Sequence, residues 1–259
     1  MNTWFFEQGL IKFLLVLFRC MGFLMLTPVF GRREFPVQAR IGLAALLSFI
    51  IYPLATEISY TGGLWDLAIL AVKETTVGVA VGYITLLMFS ALYVAGEIID
   101  MQMGFGIVNV IDPQSSNQVP LMGNFYYIVT ILVFLTVNGH HVLISAIIKS
   151  FEIVPLGKAI FTGNLFSAIR SSFVDMFSIG VKVSFPVVSM IFLTDLALGI
   201  IARTVPQMNV FIVGLPLKIF VGIVGMIFVF PMFIVALDVI FNGAYDNILL
   251  ILRGMLKGP

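Results

Sequence analysis

The 259-residue chain is 60% apolar and only 10% charged, with a mean hydropathy of +1.12. This composition excludes a soluble globular domain and is typical of a membrane protein. The net charge of +1 argues against a nucleic-acid-binding surface, and the single cysteine excludes an intrachain disulfide.

Three apolar segments are predicted in the first hundred residues. Leu10 to Phe30 is long enough to cross a bilayer, and it is expected to remain in the mature chain because no basic region precedes it. Arg19 lies in its middle and is costly in lipid, so one side of this helix is expected to face protein. Ile41 to Ala55 is short for a span, whereas Trp65 to Gly96, about 30 residues, is too long for an upright one.

Two features of the third segment bear on its contacts. Gly78-x-x-x-Gly82 lets another helix approach closely and predicts tight packing. Glu97 and Asp100, three residues apart, would share a helix face. Paired carboxylates can serve general acid–base chemistry, but no substrate pocket is indicated here, so we expect no catalytic residue and no enzyme.

Residues 106–122 form the longest polar break in the chain. Its prolines and the glycines at its entry forbid a regular helix. One interpretation is a solvent-exposed loop at a membrane face. The other is a movable stopper inside a pore, for which Gly104 and Gly106 would supply hinges. The candidate residues of this segment are Gly106, Asn109, Asp112, Pro113, Gln114, Asn117, Pro120 and Met122.

Phe125 to Ile148 is the fourth apolar segment and carries both histidines, His140 and His141. Adjacent helical side chains point about 100° apart and seldom bind one metal. Since Cys20 is the sole thiol, we expect neither a metal site nor a cofactor. Lys149 to Phe173 is predicted to be a mixed connection with a short surface helix.

Two long apolar arms, Val174 to Ile201 and Phe211 to Phe241, predict a helical hairpin. Pro206 stops the first arm because it has no N–H to donate, and its ring clashes with the preceding turn. Asn209 can cap the second arm with its side-chain oxygen.

The register of this hairpin predicts a charge pair. When the arms fold back about the tip, Asp195 lies opposite Lys218, roughly 17 Å from the tip at the helical rise. Unpaired charges at that depth are costly, so an intrachain pair is one interpretation. The alternative is that each charge reaches a neighbouring subunit or a polar cavity. The candidate residues of the hairpin are Arg203, Pro206, Gln207, Asn209, Asp195 and Lys218.

The hairpin tip closely resembles a known signature. Pro206-Gln207-Met208-Asn209-Val210-Phe211 and Gly214-x-Pro216-Leu217-Lys218, preceded by Arg203, resemble the C-terminal signature of the FliR family, the R-type export-gate subunits of type III secretion. The resemblance extends over essentially the whole chain, and Met208 and Gly214 are more like the flagellar branch than the virulence branch.

The resemblance implies an all-α membrane protein of about six long apolar helical segments arranged as broken helical hairpins. It implies a P-like helical part, residues 1–173, with a central plug-like loop at residues 106–122, and a Q-like hairpin with a C-terminal tail at residues 174–259. In this family the loop plugs the closed export pore.

The implied function is that of a non-enzymatic subunit of the flagellar type III export gate, required for flagellum assembly. It would help form the pore through which unfolded flagellar proteins cross the bacterial inner membrane at the flagellar basal body. The implied partners are P-type and Q-type gate subunits, the B-type export switch subunit, the unfolded export substrates and membrane lipid, with no nucleic acid.

Two other function classes compete. A small secondary transporter could use intramembrane charges, although no inverted repeat is visible. An intramembrane protease would need an aspartate pair or a serine in a recognisable setting, which Asp195 and Asp238 lack. The charges available to a transporter are Lys73, Glu74, Lys182, Asp195 and Lys218.

Membrane topology from charge is inconsistent for six segments. With the N-terminus outside, the basic connection 32–40 lies in the cytoplasm, as the positive-inside rule requires, but the basic connection 149–170 lies outside. Helices wound into a shared assembly need not obey this rule. We therefore predict from the resemblance and the six-segment count that the tip, residues 203–209, faces the cytoplasm.

Overall fold

A computed structural model describes residues 2–31, 35–58, 60–106, 120–161, 163–207 and 209–256. Over these residues the chain is all-helical and contains no strand, which confirms the predicted fold class. The helices are α1 (Asn2–Leu26), α2 (Val37–Ile51), α3 (Leu64–Met103), α4 (Leu121–Thr136), α5 (Gly139–Ile153), α6 (Gly163–Thr204) and α7 (Val210–Gly254).

Fewer helices could cross a membrane than the six that the sequence predicts. Among the described residues four are long and apolar enough, α1, α3, α6 and α7, or five if α4 and α5 form one bent span. The excess arises from the segment Ile41–Ala55, whose helix α2 has only 15 residues. A hydrocarbon core of about 30 Å needs roughly 20 helical residues.

Two helices run further than predicted. Helix α3 continues past Gly96 because residues 97–103 contain neither glycine nor proline, and it ends where Gly104 adopts a left-handed φ of 90°. The described residues 149–161 and 163–173 contain no separate short helix, contrary to the prediction. Lys149 belongs to α5, and α6 begins at Gly163 and meets no further glycine or proline before Gly180.

Helices α6 and α7, with 42 and 45 residues, continue through internal prolines. Pro186 lies within α6, and Pro216 and Pro231 lie within α7. At the helical rise each would measure roughly 65 Å, about twice the thickness of a hydrocarbon core. Their length therefore exceeds what one upright crossing requires.

The chain divides into two compact units. Unit 1 contains Met1–Met88, Val137–Phe173 and Phe241–Pro259, and unit 2 contains Phe89–Thr136 and Val174–Ile240. These units are defined by contacts, whereas the P-like and Q-like parts are defined by resemblance along the chain. The division at residues 173 and 174 stays a prediction.

A buried ion pair lies in the core of unit 1. Arg19 is fully buried, with its Nη2 atom 2.5 Å from Oε2 of Glu74. Its Nη1 donates to the carbonyls of Ser150 and Val154, each at 2.9 Å, and Oε1 of Glu74 accepts from the N–H of Gly157 at 2.8 Å. The prediction that Arg19 faces protein is confirmed, since this network joins α1, α3 and the end of α5.

Helices α1 and α3 touch through glycine. A Cβ atom on Gly78 would overlap the carbonyl of Arg19, and one on Gly22 would overlap the carbonyl of Thr75. The tight packing predicted around Gly78 is therefore confirmed. Cys20, beside this crossing, is fully buried.

Candidate functional site

The entry and exit of the plug-like loop are joined within unit 2 by one carboxylate. Asp100, near the end of α3, accepts the backbone N–H of Met122 at 2.9 Å through Oδ2 and at 3.1 Å through Oδ1. It also accepts the N–H of Gly123 at 3.3 Å. These are free donors in the first turn of α4. The preceding residue, Pro120, has no side-chain oxygen to cap them, so the cap comes from another helix.

Small residues bring the same two helices into backbone contact. A Cβ on Gly96 would overlap the backbone of Gly123, so α3 and α4 cross there without intervening side chains. A Cβ on Gly222 of α7 would overlap the side chain of Met103, which is fully buried. We call residues 96–104 and 120–123 the loop root, because they fix both ends of the loop.

The structure describes only part of the predicted plug-like loop. Asn109, Asp112, Pro113, Gln114 and Asn117 lie outside the described residues. A Cβ atom added to Gly106 would have no neighbour within 4 Å, so a side chain would meet open space there. Pro120 immediately precedes α4, and Met122 is buried in its first turn. Met122 therefore belongs to a helix rather than to the loop proper.

The hairpin tip in unit 2 has the predicted local structure. Helix α6 ends at Thr204, two residues before Pro206, and α7 begins at Val210. Oδ1 of Asn209 accepts the N–H groups of Phe211 at 3.1 Å and Ile212 at 3.4 Å, which confirms the predicted cap. Arg203, Pro206 and Gln207 are exposed.

The hairpin arms meet in the predicted register. Nζ of Lys218 lies 2.5 Å from Oδ1 of Asp195, and their side chains are 26% and 34% exposed. A Cβ on Gly214 would lie 3.2 Å from Leu198, one turn nearer the tip. The structure thus contains the intrachain pair, and the two side chains are neither buried nor fully solvated.

A cavity of about 460 Å³ in unit 2 adjoins both the loop root and this pair. Met101, Gln102 and Gly104 line it from the end of α3, and Asp195 and Lys218 line it from the hairpin. Two sets of residues that the sequence singles out separately therefore lie around one space.

Sequence reasoning misses two arrangements. The spacing of Glu97 and Asp100 suggests a pair of carboxylates on one face, whereas Glu97 is exposed and Asp100 is 6% exposed and bound to α4. The sequence makes Glu74 a candidate transporter charge, whereas it is the partner of Arg19. The sequence offers one signal for the contact of Asp100 with α4. Pro120 precedes this helix and cannot cap it, so the cap must come from elsewhere in the chain.

Several known proteins are similar to this chain. Residues 10–244 match the family described as "Bacterial export proteins, family 1". The chain is 45% identical over 237 residues to a flagellar biosynthetic protein FliR of Bacillus subtilis, covering 88% of this chain and 87% of that protein. The chain belongs to the FliR family.

Further FliR proteins agree with this membership. The chain is 31% identical to FliR of Escherichia coli, with 83% of each chain covered, and 30% identical to FliR of Aquifex aeolicus, with 90% of each covered. Membership in the FliR family identifies a component of the flagellar export apparatus, and the long apolar helices identify a membrane protein.

Proposed function

We propose that this protein helps form the pore of the flagellar type III export gate, through which unfolded flagellar proteins cross the bacterial inner membrane. In this proposal it is required for flagellum assembly, resides in the flagellar basal body and is not an enzyme. Its partners are P-type and Q-type gate subunits, the B-type export switch subunit, unfolded flagellar substrates and membrane lipid.

The observation that carries the proposal is the loop root. A long polar segment with a single charged residue, residues 106–120, connects two apolar helices at a junction fixed by Asp100 and by the Gly96–Gly123 contact. A segment held at both ends by a rigid base can fill a channel without being carried away by passing chain. The same residues could not pack as a lipid-facing element, because unpaired amides are costly in hydrocarbon.

The long hairpin helices support an assembled rather than a solitary subunit. Only 17% of the most apolar stretch of α6 and 22% of that of α7 is buried, against 67% for α3. Gate subunits and lipid would cover this apolar surface in the assembly.

The charge contacts favour the pore over a secondary transporter. Glu74 is bound to Arg19, and Asp195 to Lys218. A coupling-ion site needs carboxylates that are free to exchange their partner, whereas these are held by cations of the same chain.

Deletion of Val108 to Val119 tests the plug. The deletion leaves Asp100, Met122 and Gly123 in place, so we expect the subunit to assemble and the gate to leak ions and small molecules, measured as dye or ion flux in liposomes carrying the purified gate. A matched variant replaces the same residues by a glycine–serine chain of equal length, which keeps the tether but not the plug. We expect it to leak as well.

An assembled deletion gate that stays sealed would overturn the plug. The broader proposal is tested separately by removing the gene, which we expect to abolish flagella and export of flagellar proteins. Normal flagella in such a strain would overturn the export role.

A further inference from the structure

We propose that the cavity beside the hairpin pair binds a phospholipid with an ethanolamine headgroup. Lys218 binds the phosphate, Asp195 binds the ammonium group, and the apolar part of the wall contacts the glycerol and the first acyl carbons. The cavity has a volume of about 460 Å³ and is lined by residues of unit 2. This inference goes beyond the export function and does not depend on it.

The ion pair keeps bonding capacity for a ligand. Among the described residues, Nζ of Lys218 has one ion-pair contact, to Oδ1 of Asp195 at 2.5 Å. An ammonium group has three donors and a carboxylate has two acceptor oxygens. Further donors of Lys218 and the Oδ2 atom of Asp195 therefore remain for a ligand. A headgroup that carries a phosphate beside an ammonium group matches this pair, because each of its charges meets the opposite charge.

The rest of the cavity wall is mostly apolar. Met101 and Gln102 line it from the end of α3, Leu198 from α6, and Phe211 and Leu215 from α7. Ligand sites usually combine such walls with a few polar groups that fix the orientation of the ligand, in pockets of about 300–1,000 Å³. A lipid uses both parts of the wall, whereas a free phosphate would contact the charges alone.

The depth of the pair in the hairpin agrees with the level of lipid headgroups. At roughly 65 Å, α6 and α7 each exceed the hydrocarbon core by about 35 Å. When this excess is shared between the two ends, about 17 Å of helix projects at each of them. The pair lies roughly 17 Å from the tip by the same helical rise, and α3 ends at Met103, beside the cavity. The pair is therefore placed where phosphate groups meet the hydrocarbon.

The carboxylate selects the headgroup. Oδ2 of Asp195 can accept an N–H from ethanolamine, whereas a choline headgroup has no N–H and a glycerol headgroup has no positive charge. Hydrogen bonds between charged groups are about twice as strong as neutral ones. We expect the ethanolamine lipid to bind at least about tenfold more tightly than choline and glycerol lipids with the same acyl chains, a ratio equivalent to about 1.4 kcal/mol.

Native mass spectrometry of the purified, delipidated full-length protein tests this preference, with the three lipids and free phosphoethanolamine as ligands. Lys218→Met should weaken the binding of both ethanolamine and glycerol lipids, because both contain the phosphate. Asp195→Asn should remove the preference for ethanolamine and retain the binding of the glycerol lipid. Both variants should fold, because the pair is partly exposed.

Lys182→Met is the matched control. Lys182 is also an exposed lysine in the hairpin, on α6, but it does not belong to the wall of this cavity. The variant removes the same charge from the same surface, and it should keep the preference for the ethanolamine lipid.

Several outcomes would overturn the inference. Equal binding of the three lipids would do so, and a preference that persists in both pair variants would place the lipid elsewhere on the apolar surface. Loss of the preference in Lys182→Met as well would assign it to surface charge in general. Binding of free phosphoethanolamine as tight as that of the lipid would make the ligand a soluble zwitterion.

A photo-reactive residue at position 102 tests the occupant in the complete gate. Gln102 is exposed and lines the cavity, so we expect it to capture lipid. Capture of protein without lipid would assign the cavity to a polypeptide and overturn the inference.

Discussion

At the scale of single residues, two of the ion pairs among the described residues lie in different surroundings. Arg19 and Glu74 are fully buried, and each has further hydrogen-bond partners. The side chains of Lys218 and Asp195 are 26% and 34% exposed. Burial raises the free-energy cost of removing one partner, because the remaining charge has lost its hydration and has no opposite charge to compensate for it. The two pairs should therefore respond differently to the same substitutions.

We expect Glu74→Leu or Arg19→Met alone to lower the free energy of unfolding by about 3–5 kcal/mol, since each leaves a buried group unpaired. The double variant Arg19→Met/Glu74→Leu should cost about 2–3 kcal/mol less than the sum of the single changes. Denaturation of the purified protein in detergent measures these differences.

The hairpin pair provides the comparison. Asp195→Asn and Lys218→Met should each change the free energy of unfolding by roughly 1 kcal/mol or less, because water remains available to both groups.

The outcome that would contradict the buried pair is additivity. If the double variant at Arg19 and Glu74 costs as much as the two single variants together, the two residues do not form a buried pair.

At the scale of helices, glycine sets how closely neighbours approach. Gly78 lets α3 lie against the backbone of α1, and Gly96 lets it lie against the backbone of α4. Such contacts depend on the absence of a single carbon atom, and backbone cannot rotate away as a side chain can. The helices should therefore tolerate alanine at exposed glycines and not at these.

Gly78→Ala and Gly42→Ala make a matched pair. Both replace a helical glycine and gain about 1 kcal/mol of helix propensity. Gly42 in α2 has nothing within 4 Å of an added Cβ, so we expect a net gain there. At Gly78 the added carbon meets the carbonyl of Arg19, and overpacking of about 1–3 kcal/mol or more should outweigh the gain. Equal effects of the two variants on thermal stability would show that α1 and α3 are not in backbone contact.

At the scale of the whole molecule, the helix count changes the topology argument. If α2 does not cross and α4 and α5 form one bent span, the chain has five spans. Every loop after α2 then lies on the opposite side from the one that the six-segment count gives it. The connection between α5 and α6 then lies on the same side as the basic residues 32–40, in agreement with the positive-inside rule. The hairpin end next to the tip and the loop root stay together in either count, because Val210 at the start of α7 and Met101 of the loop root line the same cavity.

Cysteine labelling tests that placement. In a Cys20→Ser background, Gln102→Cys and Gln207→Cys are both at exposed positions. We expect a membrane-impermeant reagent to label both from one side. The six-segment count and the family resemblance predict the cytoplasm as that side, whereas the five-span count gives the periplasm. Labelling of the two positions from opposite sides would contradict the arrangement around the cavity, and labelling of both from the periplasm would contradict the cytoplasmic prediction and agree with five spans.

The sequence predicts contacts where local geometry fixes them. The Asp195–Lys218 pair follows from a tight tip, because two antiparallel helices joined by a short turn can meet in only one register. The cap by Asp100 cannot be obtained in this way, since a long loop separates it from Met122 and leaves the register undefined. Arg19 and Glu74 are 55 residues apart in the chain with α2 between them, so nothing local joins them.

Unit 1 is made of segments from distant parts of the chain, and this has a consequence for its biogenesis. Its helices α1 and α2 are synthesised before residues 241–256, which belong to the same unit, and the N–H of Ile160 donates to the carbonyl of Met255 at 2.9 Å. Helices α1 and α2 therefore cannot reach their final packing until residues 241–256 have been synthesised. Up to that point they remain in the membrane as an incomplete unit, exposed to chaperones and quality-control proteases. A chain truncated before residue 241 would stay at that stage and would not become available for assembly.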